Sequence, residues 1–292
     1  MKRLHQVPYS SGRDIPTINV PADACDCHHH IYDPVRFPYD LGDTRNQPPA
    51  TIDCYRLLQK RLGITRNVII QASAYGTDNS CLLHALQEMG QEKSRGVAVC
   101  KSNVSEDELS QMHRLGVRGL RINLASKLKI NSIDEIVPLS EKIKHLGWHM
   151  QFWIQPNEIE QISDVLGKIA CPVVFDHRGH IPQPEGCKHP AFKIIADLLD
   201  SGKGWVKLSG LCHDSIQGAP YYEDTVEVGR AYVKIAPERI VWGTDWPHPS
   251  SFSNHDDFPD DAKLLDLLLS QAMDEETMHK ILVDNPAVLY GF

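Results

Sequence analysis

Short runs rich in apolar and β-branched residues alternate along this chain with stretches whose apolar positions recur every three or four residues. The runs cover residues 24–30, 67–73, 96–101, 119–124, 149–155, 171–177, 204–210 and 239–245. Between them, the segments Tyr55–Leu62, Leu82–Met89 and Ile136–Leu146 carry helical spacing. Strands that alternate with helices predict parallel pairing, because a parallel connection needs a long crossover. Eight such units in 292 residues predict an α/β fold, a closed but distorted (β/α)8 barrel of the TIM type. A doubly wound open sheet is the alternative.

Residues 1–292 read as a single barrel domain, with a polar, proline-containing arm over 1–22 and C-terminal helices over 256–292. Those helices are expected in Ala262–Leu269, Glu275–Val283 and Asn285–Phe292. The Pro-, Asp- and Asn-rich stretch from Asp33 to Ala50 is long for a connection after a strand and reads as a lid or a surface loop.

Composition narrows the partners. The apolar fraction of 41% and the charged fraction of 23% are those of a globular chain. A net charge of -8 without a basic run argues against nucleic acid. No secretory signal or membrane span is visible, so a cytoplasmic protein with no membrane partner is expected. The eight cysteines lack a Cys-x-x-Cys pair and a repeated spacing, which predicts reduced thiols.

The candidate chemistry begins at Ala24-Cys-Asp-Cys-His-His-His30. In an extended strand, alternation puts Asp26, His28 and His30 on one face and Cys25, Cys27 and His29 on the other. His28 and His30 would then lie about 7 Å apart along the strand and converge on one point. Cys25 and Cys27, facing away, read as buried packing.

A barrel places its chemistry at the C-terminal ends of its strands. There the sequence offers His28 and His30 on the first strand, Arg121 on the fourth, His177 after Val-Val-Phe-Asp on the sixth, and Asp245 on the eighth. Strands one and eight are neighbours in a closed barrel, so Asp245 is expected beside the His-x-His pair. Two mechanisms follow. One uses a single Zn²⁺ held by His28, His30, His177 and Asp245. The other needs no metal: Asp245 takes a proton from water while the imidazoles stabilise the oxyanion.

Trp242-Gly-Thr-Asp-Trp-Pro-His-Pro249, together with Asp26-Cys-His-His-His30, resembles the amidohydrolase superfamily. The likeness is to its amidohydrolase-2 branch of pyrone-dicarboxylate and sugar-lactone hydrolases. Arg66–Ser73, Gly76–Asn79, Arg118–Asn123, Phe175–His177 and Asn285–Tyr290 look like the same branch. The resemblance implies a (β/α)8 barrel, Asp245 as general base, and His28, His30 and His177 around the scissile carbonyl. It also implies Ser73 and Arg121 as substrate contacts. The amidohydrolases that hold two metals add a carboxylated lysine, and no lysine closes strand four or five here.

Departures from the branch bear on the substrate. Its dicarboxylate lactonase binds two carboxylates through several arginines and a tyrosine. Here Lys127 follows Arg121 and lacks the planar fork of arginine, Trp153 stands at the tyrosine position, and His213 lies where an arginine is expected. Ser73, Arg121, Lys127, Trp153 and His213 are therefore the expected substrate-binding set. A small lactone with fewer carboxylates, of the sugar-acid, pyrone or muconolactone type, is the expected partner. A sugar-lactone isomerase, a metal-dependent decarboxylase and a non-catalytic binding barrel are the alternatives. The decarboxylase normally wants a glutamate near the first strand, where Asp26 stands instead.

Overall fold

A computed structural model describes residues 6–40, 47–124, 130–252 and 258–292. Its centre is one parallel sheet of eight strands in chain order: β1 (Cys25–His29), β2 (Arg66–Ile70), β3 (Ser94–Ala98), β4 (Val117–Asn123), β5 (His149–Trp153), β6 (Val173–Phe175), β7 (Gly204–Leu208) and β8 (Ile240–Trp242). Helices α1 (Ile52–Leu62), α2 (Ser80–Met89), α3 (Glu106–Arg114) and α4 (Ile133–Ile143) follow the first four strands. Two short helices, α5 (Pro156–Gln161) and α6 (Ser163–Lys168), follow β5. Then come α7 (Pro190–Asp200), α8 (Glu223–Ile235), α9 (Asp261–Ala272), α10 (Glu275–His279) and α11 (Asn285–Tyr290). The eight-unit barrel expected from the alternation is the one observed, and the open sheet is set aside.

Closure comes from the chain beyond β8 more than from β8 itself. Asp245 N–H donates to the His28 carbonyl at 2.8 Å, and His30 N–H donates to the Trp246 carbonyl at 2.8 Å. Gly243 permits this approach, because a Cβ there would lie 2.6 Å from both Cβ and N of His28.

The strands are shorter than their apolar runs. Ser73, Asp176, His177, Ser209 and Asp245 all leave the ladder. The reason is visible in the backbone: His177, Arg178, Gly179 and His180 have φ of 49°, 57°, 70° and 52°, and Asp245 has 67°. Each non-glycine residue held in this left-handed region costs roughly 1–3 kcal/mol, which the surrounding contacts must offset. The buried Arg178 supplies some of them, donating to the carbonyls of Ser209 at 2.6 Å and Gly210 at 3.0 Å.

Strict alternation fails in β1. Asp26 pairs with Asn67 while His29 pairs with Ile69, so three steps of β1 oppose two of β2. This is a β-bulge, and it re-aims the side chains. Cys25 and Cys27 point into the barrel floor with Val68, Ile70, Val97, Val174 and Val241. His28, after the bulge, also turns inward. Asp26 does not share its face as expected; its carboxylate accepts from Tyr55 Oη at 3.0 Å in the helical layer. His29 faces outward as expected, stacked 3.5 Å from the same Tyr55 ring. The cysteines are buried packing, but on the inner side.

The stretch Asp33–Ala50 touches the barrel mouth through Tyr32, whose N–H donates to the Ala50 carbonyl at 2.9 Å. Residues 41–46 of this expected lid lie outside the described residues.

Candidate active site

Asp245 lies at the centre of the strand ends. Its Oδ1 is 3.5 Å from His28 Nε2, 3.6 Å from His30 Nε2 and 3.7 Å from His177 Nε2. Its Oδ2 is 2.9 Å from His213 Nε2. All but His213 are buried. Burial by itself pushes the Asp245 carboxyl up; the facing His177 ring and the hydrogen bond from His213 outweigh it and hold the group well below the ordinary carboxylate range. Burial pushes His28 down to about 3 and His177 well below its ordinary value.

Beneath this cluster lies a second layer that the sequence reading did not single out. Asp176 is fully buried, with Oδ1 3.1 Å from His28 Nδ1. Its Oδ2 accepts from Arg121 Nε and Gln151 Nε2, each at 3.0 Å. Lys207 Nζ donates to Gln151 Oε1 at 2.7 Å and to the Cys27 carbonyl at 2.9 Å, and lies 3.6 Å from Asp176 Oδ1. Burial raises Asp176, but His28, Arg121 and Lys207 together hold it well below the usual range. Lys207 is pushed down by burial to about 8, against the pull of Asp176. The signal available in the sequence was a lysine within Gly204-Trp-Val-Lys-Leu, where alternation puts Trp205 and Lys207 on one face.

Above the carboxylate opens a cavity of about 480 Å³, lined among others by His30, Ser73, Arg121, Trp153, His177 and Asp245. Of the expected substrate set, Ser73 Oγ accepts from Asn123 Nδ2 at 2.9 Å. The Arg121 guanidinium lies 5.6 Å from the Trp153 ring centre, a cation–π contact. Trp153 Nε1 donates to His180 Nε2 at 3.1 Å, and His180 Nδ1 lies 3.0 Å from Asp214 Oδ1, which fixes the indole as a wall. Lys127 lies outside the described residues. Tyr32 and Phe252, which the sequence reading omitted, line the mouth. His213 also lines the cavity, yet its ring is committed to Asp245.

The donors suit a metal ion as well. His28, His30 and Asp245 form one group of closely spaced candidate ligand atoms, and His177, His213 and Asp245 form another. No helix among the described residues is long and apolar enough to cross a membrane.

Comparison with known proteins agrees with this geometry. The chain is 33% identical over 287 residues to the 2-pyrone-4,6-dicarboxylate hydrolase of Comamonas testosteroni, covering 94% of this chain and 92% of that one. It is 33% identical over 277 residues to the 4-sulfomuconolactone hydrolase of Rhizobium radiobacter, covering 93% and 91%. It is 31% identical over 278 residues to the D-galactarolactone isomerase of Agrobacterium fabrum, covering 94% and 93%. An apo crystal structure of an Agrobacterium tumefaciens protein superposes with a TM-score of 0.88 at 29% identity, over 97% of this chain and 98% of that one. The profile of the amidohydrolase family matches residues 25–292, and with these relatives it shows that the chain belongs to that family.

Proposed function

We propose that this chain, acting as one domain, hydrolyses a small lactone, with Asp245 as the general base and His28, His30 and His177 around the carbonyl and the attacking water. The observation that carries this reading is the convergence of three imidazole Nε2 atoms on one oxygen of an ionised, buried Asp245. The names of the hydrolase relatives, which concern a pyrone dicarboxylate and a sulfomuconolactone, support it.

In this reading water attacks the lactone carbonyl carbon and its proton passes to Asp245. Collapse of the tetrahedral intermediate breaks the ring C–O bond, and the proton returns to the departing alkoxide. The product is an open hydroxy acid. Ser73, Arg121, Trp153 and Lys127 are assigned to the substrate's polar and anionic groups. A sugar-acid lactone or a related ring with fewer carboxylates than the pyrone dicarboxylate is the proposed substrate class.

The residues fit one Zn²⁺. His28 Nε2 is a buried nitrogen with no hydrogen-bond partner among the described residues. The 3.5–3.7 Å spacings to Asp245 are close to the roughly 3.3 Å ligand separation of a tetrahedral zinc with 2.0–2.1 Å bonds. Zinc held by His28, His30 and Asp245, whose candidate ligand atoms lie within 4.8 Å of one another, would keep a position open for water and lower its pKa towards about 7, while His177 falls in the other group, with His213. All eight cysteines are unpaired, which supports a reducing compartment such as the cytoplasm.

The likeness to a galactarolactone isomerase favours a second reading, transfer of the acyl group between hydroxyls of the same sugar. A screen of aldonolactones, aldarolactones and muconolactones with a pH indicator, run beside Asp245→Asn, tests the first. Acid release by the native protein and none by the variant is expected, with ¹⁸O from labelled water in the new carboxylate. A rearranged lactone found by product analysis, with no acid release and no label, would assign isomerisation, and neither acid nor rearranged lactone across the panel would refute both.

A further inference from the structure

The side chain of Gln47 lines the 480 Å³ cavity together with Tyr32 and Phe252, is 3% exposed, and has no hydrogen-bond partner on either Oε1 or Nε2 among the described residues. A buried amide left unpaired costs free energy that the rest of the fold has to offset. Turning the group over does not help, because exchange of oxygen and nitrogen leaves both ends without a partner. The missing partner has to come from the cavity.

The backbone around this amide is fixed. Tyr39 Oη donates to the Gln47 carbonyl at 2.7 Å, and Tyr9 Oη donates to the Pro49 carbonyl at 2.7 Å. Ala50 N–H donates to the Tyr32 carbonyl at 2.8 Å, and Tyr32 N–H donates back to the Ala50 carbonyl at 2.9 Å. Between these anchors stand Pro48 and Pro49, whose rings lock φ. Gln47 is therefore held at the cavity wall by its neighbours and not by its own side chain. That is the preorganised state of a group whose partner arrives with the ligand.

We propose that Gln47 is a specificity-determining residue that pairs with a hydroxyl of the substrate, which makes the substrate a polyhydroxylated lactone of the aldarolactone class. The proposal rests on the lactonase reading and narrows it. An amide presents an acceptor and a donor side by side, so its complement must both give and take a proton. A carboxylate or a sulfonate only accepts and would leave Oε1 facing negative charge. A hydroxyl, or two adjacent hydroxyls, satisfies both ends. The anion is provided for elsewhere, since among the described residues that line the cavity Arg121 is the one arginine or lysine. One carboxylate together with ring hydroxyls describes an aldarolactone, whereas pyrone dicarboxylates and muconolactones bring no free hydroxyl to Gln47.

Calorimetric titration of the full-length protein with galactarate, D-glucarate and hexanedioate tests this, because the three diacids share a carbon skeleton and differ in their hydroxyls. The native protein is expected to bind one of the hydroxylated diacids about 10–100-fold more tightly than hexanedioate, since a site built to pair a hydroxyl rejects the analogue that lacks it. Gln47→Met, of similar length and without the amide, should lose that preference while its melting temperature stays level or rises. Native protein that shows no preference, or binds none of the three, overturns the proposal. So does a preference that survives in Gln47→Met, and so does a variant that fails to fold or melts several degrees lower, which would make the amide structural.

Kinetics separates this result from the lactonase reading. Between D-glucaro-1,4-lactone and the γ-lactone of 3-hydroxyhexanedioate, the same skeleton without free hydroxyls, the ratio of kcat/KM should fall by about 10–100-fold in Gln47→Met. An unchanged ratio removes Gln47 from specificity and leaves the lactonase reading standing. If neither lactone is opened while the diacid preference follows Gln47, the lactonase reading fails and the hydroxyl-pairing role survives.

Discussion

His213 Nε2 lies 2.9 Å from Asp245 Oδ2, on the carboxylate oxygen opposite the one that faces the other three imidazoles. The sequence places His213 among the substrate contacts, and the hydrogen bond makes it a partner of Asp245, the proposed base. Its removal should therefore act on the chemical step. His213→Ala is expected to lower kcat by about 10–100-fold with little change in KM. Steady-state kinetics on the best lactone checks this; a raised KM with kcat retained would return His213 to the substrate.

Gly243 is the point where the eighth strand meets the first. A methyl group there would stand 2.6 Å from His28 N and Cβ, so something must shift. Overpacking of this kind typically costs about 1–3 kcal/mol. Gly243→Ala should lower the unfolding free energy measured in urea by that amount and also displace His28 from Asp245, with loss of turnover. A variant of native stability and rate would show that the seam is looser than described.

The barrel floor is closed from below by α11. Tyr290 is buried beside Cys25, Cys27 and Val68, 5.2 Å from the His149 ring, and Arg95 Nε donates to its carbonyl at 3.1 Å. Tyr290→Ala should cost about 3–5 kcal/mol, the range for deleting a large buried aromatic ring. Chemical denaturation measures it. A loss under about 1 kcal/mol would mean that the floor collapses around the gap.

The eight cysteines differ in access. Cys187 is exposed, Cys54 and Cys212 are half-buried, and the other five are buried. Burial pushes Cys100, Cys171 and Cys212 up to about 12, which keeps them as unreactive thiols. A thiol reagent at pH 8 should find one fast site in the native protein and eight after denaturation. Fewer than eight in the denatured, unreduced protein would reveal a disulfide.

Both groups of candidate ligands share Asp245. One carboxylate at the centre predicts zinc uptake that saturates at a single equivalent and is lost in His28→Ala. Elemental analysis after equilibrium dialysis decides it. Two bound equivalents would contradict the mononuclear assignment.

Much of this site is legible one strand at a time. The pair His28 and His30 is visible because they stand two residues apart, and Asp245 because it ends an apolar strand. His29 is correctly sent outward by the same rule. Asp26 is not, since the bulge between Asp26 and His29 breaks the alternation that the rule assumes. Nothing local marks that extra residue. Asp176 stands next to His177 in plain view, yet its importance comes from Arg121, Gln151 and Lys207, three strands that meet it only across the barrel interior.

The sequence by itself determines the alternating strands and helices, hence the parallel barrel, and which polar side chains close its strands. Those follow from hydrophobic periodicity and chain length, which are local properties. Only the tertiary structure decides that Cys27 and His28 both turn inward, that His213 serves Asp245, and that one buried carboxylate joins His28 to Arg121. Such relations depend on closing the ring of strands, which brings residues 28, 121, 176, 207 and 245 into one buried interior where each charge must find a partner.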